Sequence, residues 1–274
     1  MSGELPSSLV LLGAGKMGQA MLTGWLARGL EPSRITAIDP HLDESGRALL
    51  SQKGVRLTKT PEGVSIPEAM VLAIKPQTLE SAAEGGRKLI GKDTLVLSIL
   101  AGKRIADLAS RLGVSTAIVR AMPNTPAAVA RGISAAVAVP GITQRQHAIA
   151  DALLSSIGGV EWVDDEALID PVTAVSGSGP AYVFWLVECL AEAGAKAGLP
   201  PELSMRLARA TVEGAGELMF RDKSTEASTL RRNVTSPGGT TAAALEVLMA
   251  KDGLSPLMER AVAAASRRAR ELAG

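Results

Sequence analysis

The sequence predicts two domains, an α/β domain with a mostly parallel sheet and an all-helical domain after it. The chain has 274 residues, which exceeds one average domain. From residue 8 to about 163, short β-branched apolar runs alternate with helical patterns, an order typical of βαβ units. Beyond residue 164 the strand signals stop and the helical spacing continues. We therefore expect one domain at 1–163 and a second at 164–274.

The elements follow from the short apolar runs and from the periodic segments between them. Strands are expected at Leu9–Leu12, Ile35–Ile38, Met70–Ala73, Leu95–Ile99, Ala117–Arg120, Ser134–Val139 and Val160–Val163. Helices are expected between them at 16–29, 42–53, 77–90, 104–112 and 143–157. In the second domain, apolar residues recur at helical spacing over 179–198, and further helices are expected at about 201–221, 239–250 and 255–272.

The composition suits large cores and a small-molecule partner. Hydrophobic residues make up 46% and the formal net charge is +1, which argues against nucleic acid or an anionic membrane as the main partner. Aromatic residues are only 2%, so the cores must use Ala, Val, Leu, Ile and Met. Alanine-rich helices bury little area each, which favours oligomerisation.

The single cysteine, Cys189, excludes an intramolecular disulfide and suits a reducing compartment. It lies in an apolar helix, where we expect a buried small hydrophobe and not a nucleophile. The N-terminal apolar run lacks a basic region and breaks at Gly13, so we expect no signal peptide. No uncharged apolar run approaches the ~20 residues of a membrane span. We therefore expect a cytoplasmic protein.

A glycine-rich stretch, "LVLLGAGKMGQAM", follows the first predicted strand and opens the first predicted helix. Gly13, Gly15 and Gly18 have the G-x-G-x-x-G spacing that serves a tight turn, close approach of a pyrophosphate and helix–sheet packing. Asp39 follows Gly18 by 21 residues, where an acid can accept hydrogen bonds from a ribose diol. The alternative is a plain βα turn. The context favours a Rossmann-type, doubly wound sheet, with cofactor contacts at Gly13, Ala14, Gly15, Lys16, Met17, Gly18 and Asp39.

Three later loops follow the carboxyl ends of predicted strands, where open α/β sheets bind ligands. They are "AIKPQ" (73–77), "ILAGK" (99–103) and "RAMPNTP" (120–126). Proline and glycine also punctuate ordinary turns, so each loop alone is ambiguous. Together they indicate a cofactor groove, whose candidate residues are Ala73, Ile74, Lys75, Pro76, Ala101, Gly102 and Asn124.

The stretch "VTSPGGTTAAALEVL" (234–248) places small, hydroxyl and proline residues in front of an alanine-rich helix. A cap needs one such residue, whereas an anion pocket uses the free N–H groups of several residues without bulky side chains.

No His, Cys or Glu has zinc-ligand spacing, and no Ser-His-Asp arrangement is apparent, so we expect no metal site. Reduction of a C=N bond suits such a site, because hydride addition to a protonated imine neutralises charge.

The chain resembles the pyrroline-5-carboxylate reductase family over essentially its whole length. The matching stretches are "LLGAGKMGQAM", "VLAIKPQ", "RAMPNTPAAV", "AVSGSGPAYVF" and "VTSPGGTTAAALEVL". The resemblance implies reduction of 1-pyrroline-5-carboxylate to L-proline with NADPH or NADH, the last step of proline biosynthesis. It also implies a Rossmann domain followed by an all-helical domain that interlocks with a second subunit, and dimers of this family commonly assemble into decamers.

The resemblance further implies roles for the segment 236–241. Backbone N–H groups and the Ser236 hydroxyl would hold the substrate carboxylate, and the catalytic Thr241 would lie near the ring nitrogen. The implied substrate-binding residues are Ser236, Gly238, Gly239, Thr240 and Thr241. One stretch departs from the family: where relatives often have a His-Pro pair, this chain has "STEASTLRR" (224–232), so a substrate contact from that stretch stays open.

Two other functions compete, and the cofactor preference has two interpretations. A β-hydroxyacid dehydrogenase needs a lysine on the interdomain helix, and "GSGPAYVFWL" (177–186) contains none. A second alternative, a non-catalytic protein that senses the nucleotide, does not explain the 234–248 segment. Asp39 would repel the 2′-phosphate of NADPH, and Lys75 would offset part of this repulsion. We therefore expect dual cofactor use with NADH well tolerated; alternatively, Asp39 only starts the turn before Pro40.

Overall fold

The computed structural model describes residues 4–114 and 117–273. Its contacts divide the chain into two compact units. The first unit runs through Gly177 and also includes the chain from Ala265 onward, and the second unit is Ser178–Ala264. No helix in the described part of the chain is long and apolar enough to cross a membrane.

An eight-stranded sheet forms the centre of the first unit, in the order β3-β2-β1-β4-β5-β6-β7-β8. All neighbouring strands pair in parallel except β6 and β7, which are antiparallel. Because β1 lies between β2 and β4, the chain winds outward in both directions, and the carboxyl end of β1 is the point where such sheets bind ligands. The strands are β1 (Leu9–Leu12), β2 (Ile35–Ile38), β3 (Arg56–Thr58), β4 (Ala69–Leu72), β5 (Leu95–Ser98), β6 (Ile118–Met122), β7 (Gly132–Ala138) and β8 (Gly158–Trp162).

Helices cover both faces of this sheet. In β1, Leu9 and Leu11 belong to one buried cluster while Val10 and Leu12 belong to another, which is the two-residue alternation of a strand with both faces buried. The first cluster contains Trp25 of α1, whose indole N–H donates to the Leu153 carbonyl at 3.0 Å. The helices of this unit are α1 (Lys16–Ala27), α2 (Glu44–Gln52), α3 (Leu79–Arg87), α4 (Ile105–Leu112), α5 (Gln144–Ser155) and α6 (Ile169–Val172).

The second unit is helical and exposes much apolar surface. Its helices are α7 (Gly179–Lys196), α8 (Pro201–Arg221), α9 (Ala227–Asn233), α10 (Thr240–Leu248) and the first half of α11 (Leu254–Ala273). The helices α7 and α8 pack on each other, and the Ser204 hydroxyl of α8 donates to the Ala191 carbonyl of α7 at 2.6 Å. Phe184 and Trp185 of α7 are 63% and 62% exposed, so this helix has an apolar face without a partner in the described single chain.

The sequence-based assignment of elements is confirmed in type and partly in bounds. The first two predicted strands match residue for residue, and the other five differ by one or two residues at an end. The expected helix at 77–90 begins as a 3-10 turn, Pro76–Thr78, before α3. The strand β3 and the helices α6 and α9 were not predicted because each is short. The prediction that Cys189 is buried is wrong for the single chain, in which Cys189 is exposed on α7.

Candidate functional site

A cavity of about 780 Å³ opens at the carboxyl ends of β3, β2, β1 and β4. This volume lies within the range of small-molecule sites, roughly 300–1,000 Å³. Seven of the predicted cofactor residues line it: Gly13, Gly15, Lys16, Asp39, Ala73, Ile74 and Lys75. Further lining residues that were not predicted from the sequence come from the loops after β2 and β3, from the 3-10 turn before α3 and from α3: Leu42, Lys59, Thr60, Pro61, Thr78, Ser81, Ala82, Gly85 and Gly86.

The three glycines of the loop after β1 have different surroundings. Gly13 has φ +90°, and a Cβ there would lie 2.6 Å from the Ala73 carbonyl oxygen, so the turn requires glycine. A Cβ on Gly18 would overlap the carbonyl oxygen of Gly13, which shows that the start of α1 packs on the turn. A Cβ on Gly15 would meet nothing within 4 Å among the described residues. The fold therefore explains Gly13 and Gly18, whereas Gly15 faces the cavity.

The N-terminus of α1 opens beside this cavity with free donors. Gly15 is its N-cap residue, and no side chain of the described chain caps it. Such a helix start presents N–H groups and a partial positive charge to an anion. Ala14 precedes this helix start, and Met17 and Gly18 lie in its first turn, but none of the three lines the cavity. Ala14 is buried and Met17 packs on the core.

Asp39 connects the end of β2 to the glycine loop. Its carboxylate accepts the Ala14 N–H at 2.9 Å through Oδ2 and the His41 N–H at 2.9 Å through Oδ1. A carboxylate has about four lone-pair sites, so both oxygens keep capacity for a further donor. Nearby Asp43 caps α2 by accepting the Gly46 N–H at 2.8 Å, and this bond, with that from the Ser45 hydroxyl, holds the pKa of Asp43 below its ordinary value.

The loop after β3 forms one wall of the cavity, and neither this loop nor β3 was predicted from the sequence. Thr58 pairs with Ile38 in register, and the Asp39 N–H donates to the Thr58 carbonyl at 3.1 Å. Lys59 and Thr60 therefore follow directly beside Asp39. The alternation of Val55 and Leu57 with polar residues, just before a Lys-Thr-Pro turn, was the available signal for a strand here.

Pro76, Ala101, Gly102 and Asn124 do not line this cavity. Gly102 has φ +67° and lies against the end of α11, since its Cβ would be 2.8 Å from the Leu272 carbonyl oxygen. The Asn124 side chain, 9% exposed, accepts the Ile133 N–H at 2.9 Å and donates to the Ser176 hydroxyl at 3.3 Å. Its amide thus joins the loop after β6 to β7 and to Ser176.

A buried ion pair that the sequence did not suggest involves Arg120 in the middle of β6. The Arg120 side chain, 4% exposed, donates to Glu166 Oε1 at 2.8 Å and lies 4.0 Å from the Asp170 carboxylate. The same Glu166 oxygen accepts the Ile105 N–H at 2.8 Å. Arg120 therefore ties the sheet to the starts of α4 and α6.

In the second unit, the segment 236–241 forms a turn and a helix start. The Gly239 N–H donates to the Ser236 carbonyl at 3.0 Å, with Pro237 and Gly238 (φ +69°) between them. Proline followed by a positive-φ glycine is the signature of a type II turn. The helix α10 begins at Thr240 without a side-chain cap from the described residues. The predicted substrate residues thus surround a helix N-terminus with free N–H groups, and Ser236 and Thr240 are exposed.

Among residues 4–114 and 117–273, no group of three His, Cys, Asp or Glu side chains could hold a metal ion. His147 instead stacks on Trp162 with ring centroids 3.9 Å apart.

Two family models match the chain. The model "Pyrroline-5-carboxylate reductase dimerisation" matches residues 166–272, and the model "NADP oxidoreductase coenzyme F420-dependent" matches residues 8–102. The first covers α6 to α11, and the second covers the glycine loop and the cavity-lining strand ends.

Several proteins that are similar to this chain over nearly its full length are pyrroline-5-carboxylate reductases. The pyrroline-5-carboxylate reductase of Pseudomonas aeruginosa is 38% identical over 97% of this chain and 96% of its own. That of Arabidopsis thaliana is 37% identical over 95% and 94%. Among solved structures, a pyrroline-5-carboxylate reductase from Coxiella burnetii has a TM-score of 0.90 at 33% identity, covering 98% of this chain and 99% of its own.

A Plasmodium falciparum pyrroline carboxylate reductase, solved with NADP bound, has a TM-score of 0.81 at 27% identity and covers 97% of this chain and 98% of its own. The predicted fold class and the predicted resemblance are both confirmed by these similarities. Sequence and fold agree that the chain belongs to the pyrroline-5-carboxylate reductase family.

Proposed function

We propose that this chain reduces 1-pyrroline-5-carboxylate to L-proline with NADPH or NADH, as the last step of proline biosynthesis. The observation that carries this proposal is the turn at Ser236–Gly239 leading into the uncapped start of α10, in a chain that is similar to such reductases over 97% of its length. The small-molecule cavity at the sheet edge supports the nucleotide half of the reaction.

The residues of the cavity fit a dinucleotide. Gly15 leaves the approach to the backbone open, and the free N–H groups at the start of α1 suit a pyrophosphate. Lys16 and Lys75 line the same cavity and bring positive charge to the phosphates. When bound, the nicotinamide nucleotide supplies the hydride. Ala101, Gly102 and Asn124 remain candidates for cofactor contacts outside the cavity.

The segment before α10 fits a small cyclic carboxylate. The free N–H groups of the helix start and the Ser236 hydroxyl hold the carboxylate, where the helix dipole favours negative charge. Gly238, Gly239 and Thr240 keep this surface free of bulky side chains. The Thr241 hydroxyl holds the ring nitrogen, so that a hydride adds to the imine carbon while the nitrogen keeps the proton it brought. The products are proline and the oxidised nucleotide.

The chain forms homo-oligomers in this proposal, beginning with a dimer through residues 164–274. The match to a dimerisation model and the exposed apolar face of α7 support the dimer. Assembly of dimers into decamers follows only from the family resemblance. The single cysteine supports a reducing compartment, which we propose is the cytoplasm.

A spectrophotometric assay tests the proposal. Purified protein is mixed with NADPH or NADH and 1-pyrroline-5-carboxylate, and the loss of nucleotide absorbance is followed. We expect turnover of this imine and far slower turnover of 1-pyrroline, which lacks the carboxylate that the α10 start would bind. Equal rates for the two imines would contradict the carboxylate site, and turnover of β-hydroxyacids alone would replace the proposed reaction.

A further inference from the structure

One lysine that lines the cavity is placed to contact the ribose end of a bound nucleotide. Lys59 follows β3 directly, and the pairing of Ile38 with Thr58 places it beside Asp39. It is exposed, lines the cavity and has no ion-pair partner within 4 Å among the described residues. Its charge is thus available to a ligand.

The loop that carries Lys59 is anchored on both sides. The Thr58 hydroxyl donates to the Thr60 carbonyl at 2.8 Å, and the Val64 N–H donates to the Pro61 carbonyl at 3.1 Å. Pro61 lies on α3 where Gly85 has no side chain, since a Cβ there would be 2.9 Å from the Pro61 Cγ. The backbone of Lys59 is therefore held at the cavity wall while its long side chain can reach inward.

The residues around the expected ribose position are negatively charged, so binding of a 2′-phosphate there needs a nearby cation. In sheets of this type, the acid after the second strand lies at the ribose 2′ position, and here that acid is Asp39. Its carboxylate, together with Asp43, brings negative charge that would repel a 2′-phosphate. Both carboxylates accept backbone N–H groups, which orients them but leaves their charge in place.

Among the lysines that line the cavity, Lys59 is the closest in the strand order to the ribose 2′ position beside Asp39. It follows β3, the immediate neighbour of β2, whereas Lys75 follows β4 on the far side of β1. With strands about 4.8 Å apart, Lys59 starts roughly one strand spacing from Asp39 and Lys75 roughly two. Lys16 lies in the first turn of α1, on the side of the pyrophosphate. His41 also lines the cavity.

We propose that Lys59 determines cofactor choice by pairing with the 2′-phosphate of NADPH, and so offsets Asp39. This inference rests on the proposed use of a nicotinamide nucleotide. It predicts a preference for NADPH over NADH, in contrast to the tolerance of NADH that Asp39 alone suggests. The missed strand β3 is the reason that the sequence pointed to Asp39 without its neighbouring cation.

Binding measurements on the purified full chain without substrate test the inference. Dissociation constants for NADPH and NADH, and for 2′,5′-ADP and 5′-AMP, are measured by isothermal titration calorimetry. Lys59→Gln removes the charge, Lys59→Arg keeps it, and Lys92→Gln is the matched control because Lys92 is an exposed lysine away from the cavity. Circular dichroism checks that each variant is folded.

We expect Lys59→Gln to weaken NADPH and 2′,5′-ADP about tenfold or more, as for loss of a hydrogen bond to a charged group. NADH and 5′-AMP should change less than about twofold, and both Lys59→Arg and Lys92→Gln should keep the wild-type preference. Equal weakening of all four ligands, or no change in any, would overturn the role of Lys59. Wild-type protein that binds nucleotides but does not reduce the imine would refute the proposed reaction while this comparison still decides the role of Lys59.

Discussion

Adding one methyl group at Gly15 or at Gly18 separates the part of the glycine loop that serves the fold from the part that serves a ligand. The two residues are three positions apart in one loop, yet their surroundings differ. A Cβ on Gly18 would overlap the Gly13 carbonyl oxygen and lie 3.3 Å from its carbon. A Cβ on Gly15 would enter open cavity space. Gly18→Ala should therefore affect stability, and Gly15→Ala should affect nucleotide binding.

The sizes of the two effects follow from these contacts. The overlap at Gly18 is with backbone, which no rotamer change relieves, so we expect Gly18→Ala to lower the free energy of unfolding by about 1–3 kcal/mol. Gly15 has φ −67° and ψ −171°, which alanine adopts without strain. Alanine is a poorer N-cap than glycine, but it also lowers the conformational entropy of the unfolded chain. These two effects oppose each other, so Gly15→Ala should change the free energy of unfolding by less than about 1 kcal/mol.

The nucleotide affinity should show the reverse order. The new methyl group at Gly15 would lie between the N–H groups of α1 and a bound pyrophosphate. Losing hydrogen bonds to a charged group costs about 1.5–3 kcal/mol, so Gly15→Ala should weaken both NADPH and NADH roughly tenfold or more. Melting temperatures from calorimetry and dissociation constants from titration calorimetry measure the two effects, and each variant is the control for the other. Wild-type affinity in Gly15→Ala would refute the assignment of this cavity to the nucleotide.

Four further predictions concern other parts of the chain. Thr241→Ala should lower kcat/KM about 10–100-fold with nucleotide affinity unchanged, and an unchanged kcat/KM would remove it from the mechanism. Arg120→Met leaves its carboxylate partners unpaired, so urea unfolding should show a loss of about 3 kcal/mol; a loss below about 1 kcal/mol would show that the pair is dispensable. Burial raises the pKa of Glu68, but hydrogen bonds from Arg145 and Ser7 lower it more, so the net pKa lies below its ordinary 4.5. The stability from Glu68 is thus complete above about pH 4.5 and is lost as the pH falls through its folded-state pKa; Glu68→Gln should flatten that acid decline, and an unchanged pH profile would contradict it. Light scattering should find a dimer in the wild type and a monomer in Trp185→Glu, whereas a folded, active wild-type monomer would refute the α7 interface.

The sequence predicts the first two strands residue for residue because they are apolar runs bounded by turn residues. Both β1 and β2 are buried, and each is followed by a clear signal, Gly13 in one case and Asp39-Pro40 in the other. The strand β3 has three residues and its first, Arg56, is exposed. The alternation of Val55 and Leu57 with polar residues is a weak signal at this length, so the strand was not predicted.

The site is predictable where it depends on local spacing and not where distant residues meet. The glycine loop and the 236–241 segment were readable because their chemistry lies within a few consecutive residues. The bond from the Ala14 N–H to Asp39 joins residues 25 apart, and the pair of Arg120 and Glu166 joins residues 46 apart. Such contacts depend on the sheet order. Cys189 shows another limit, since periodicity marks an apolar helix without saying whether its face is covered within one chain or by a partner.

Transfer of a labelled hydride tests the central claim most directly. The purified protein is incubated with 1-pyrroline-5-carboxylate and NADPH or NADH that carries deuterium on one or the other face of the nicotinamide C4, and the proline formed is analysed by mass spectrometry. We predict that one of the two labelled faces gives proline with a single deuterium at the former imine carbon, in amounts equal to the nucleotide oxidised. Absence of proline, or unlabelled proline from both faces, would contradict hydride transfer to this imine by this protein.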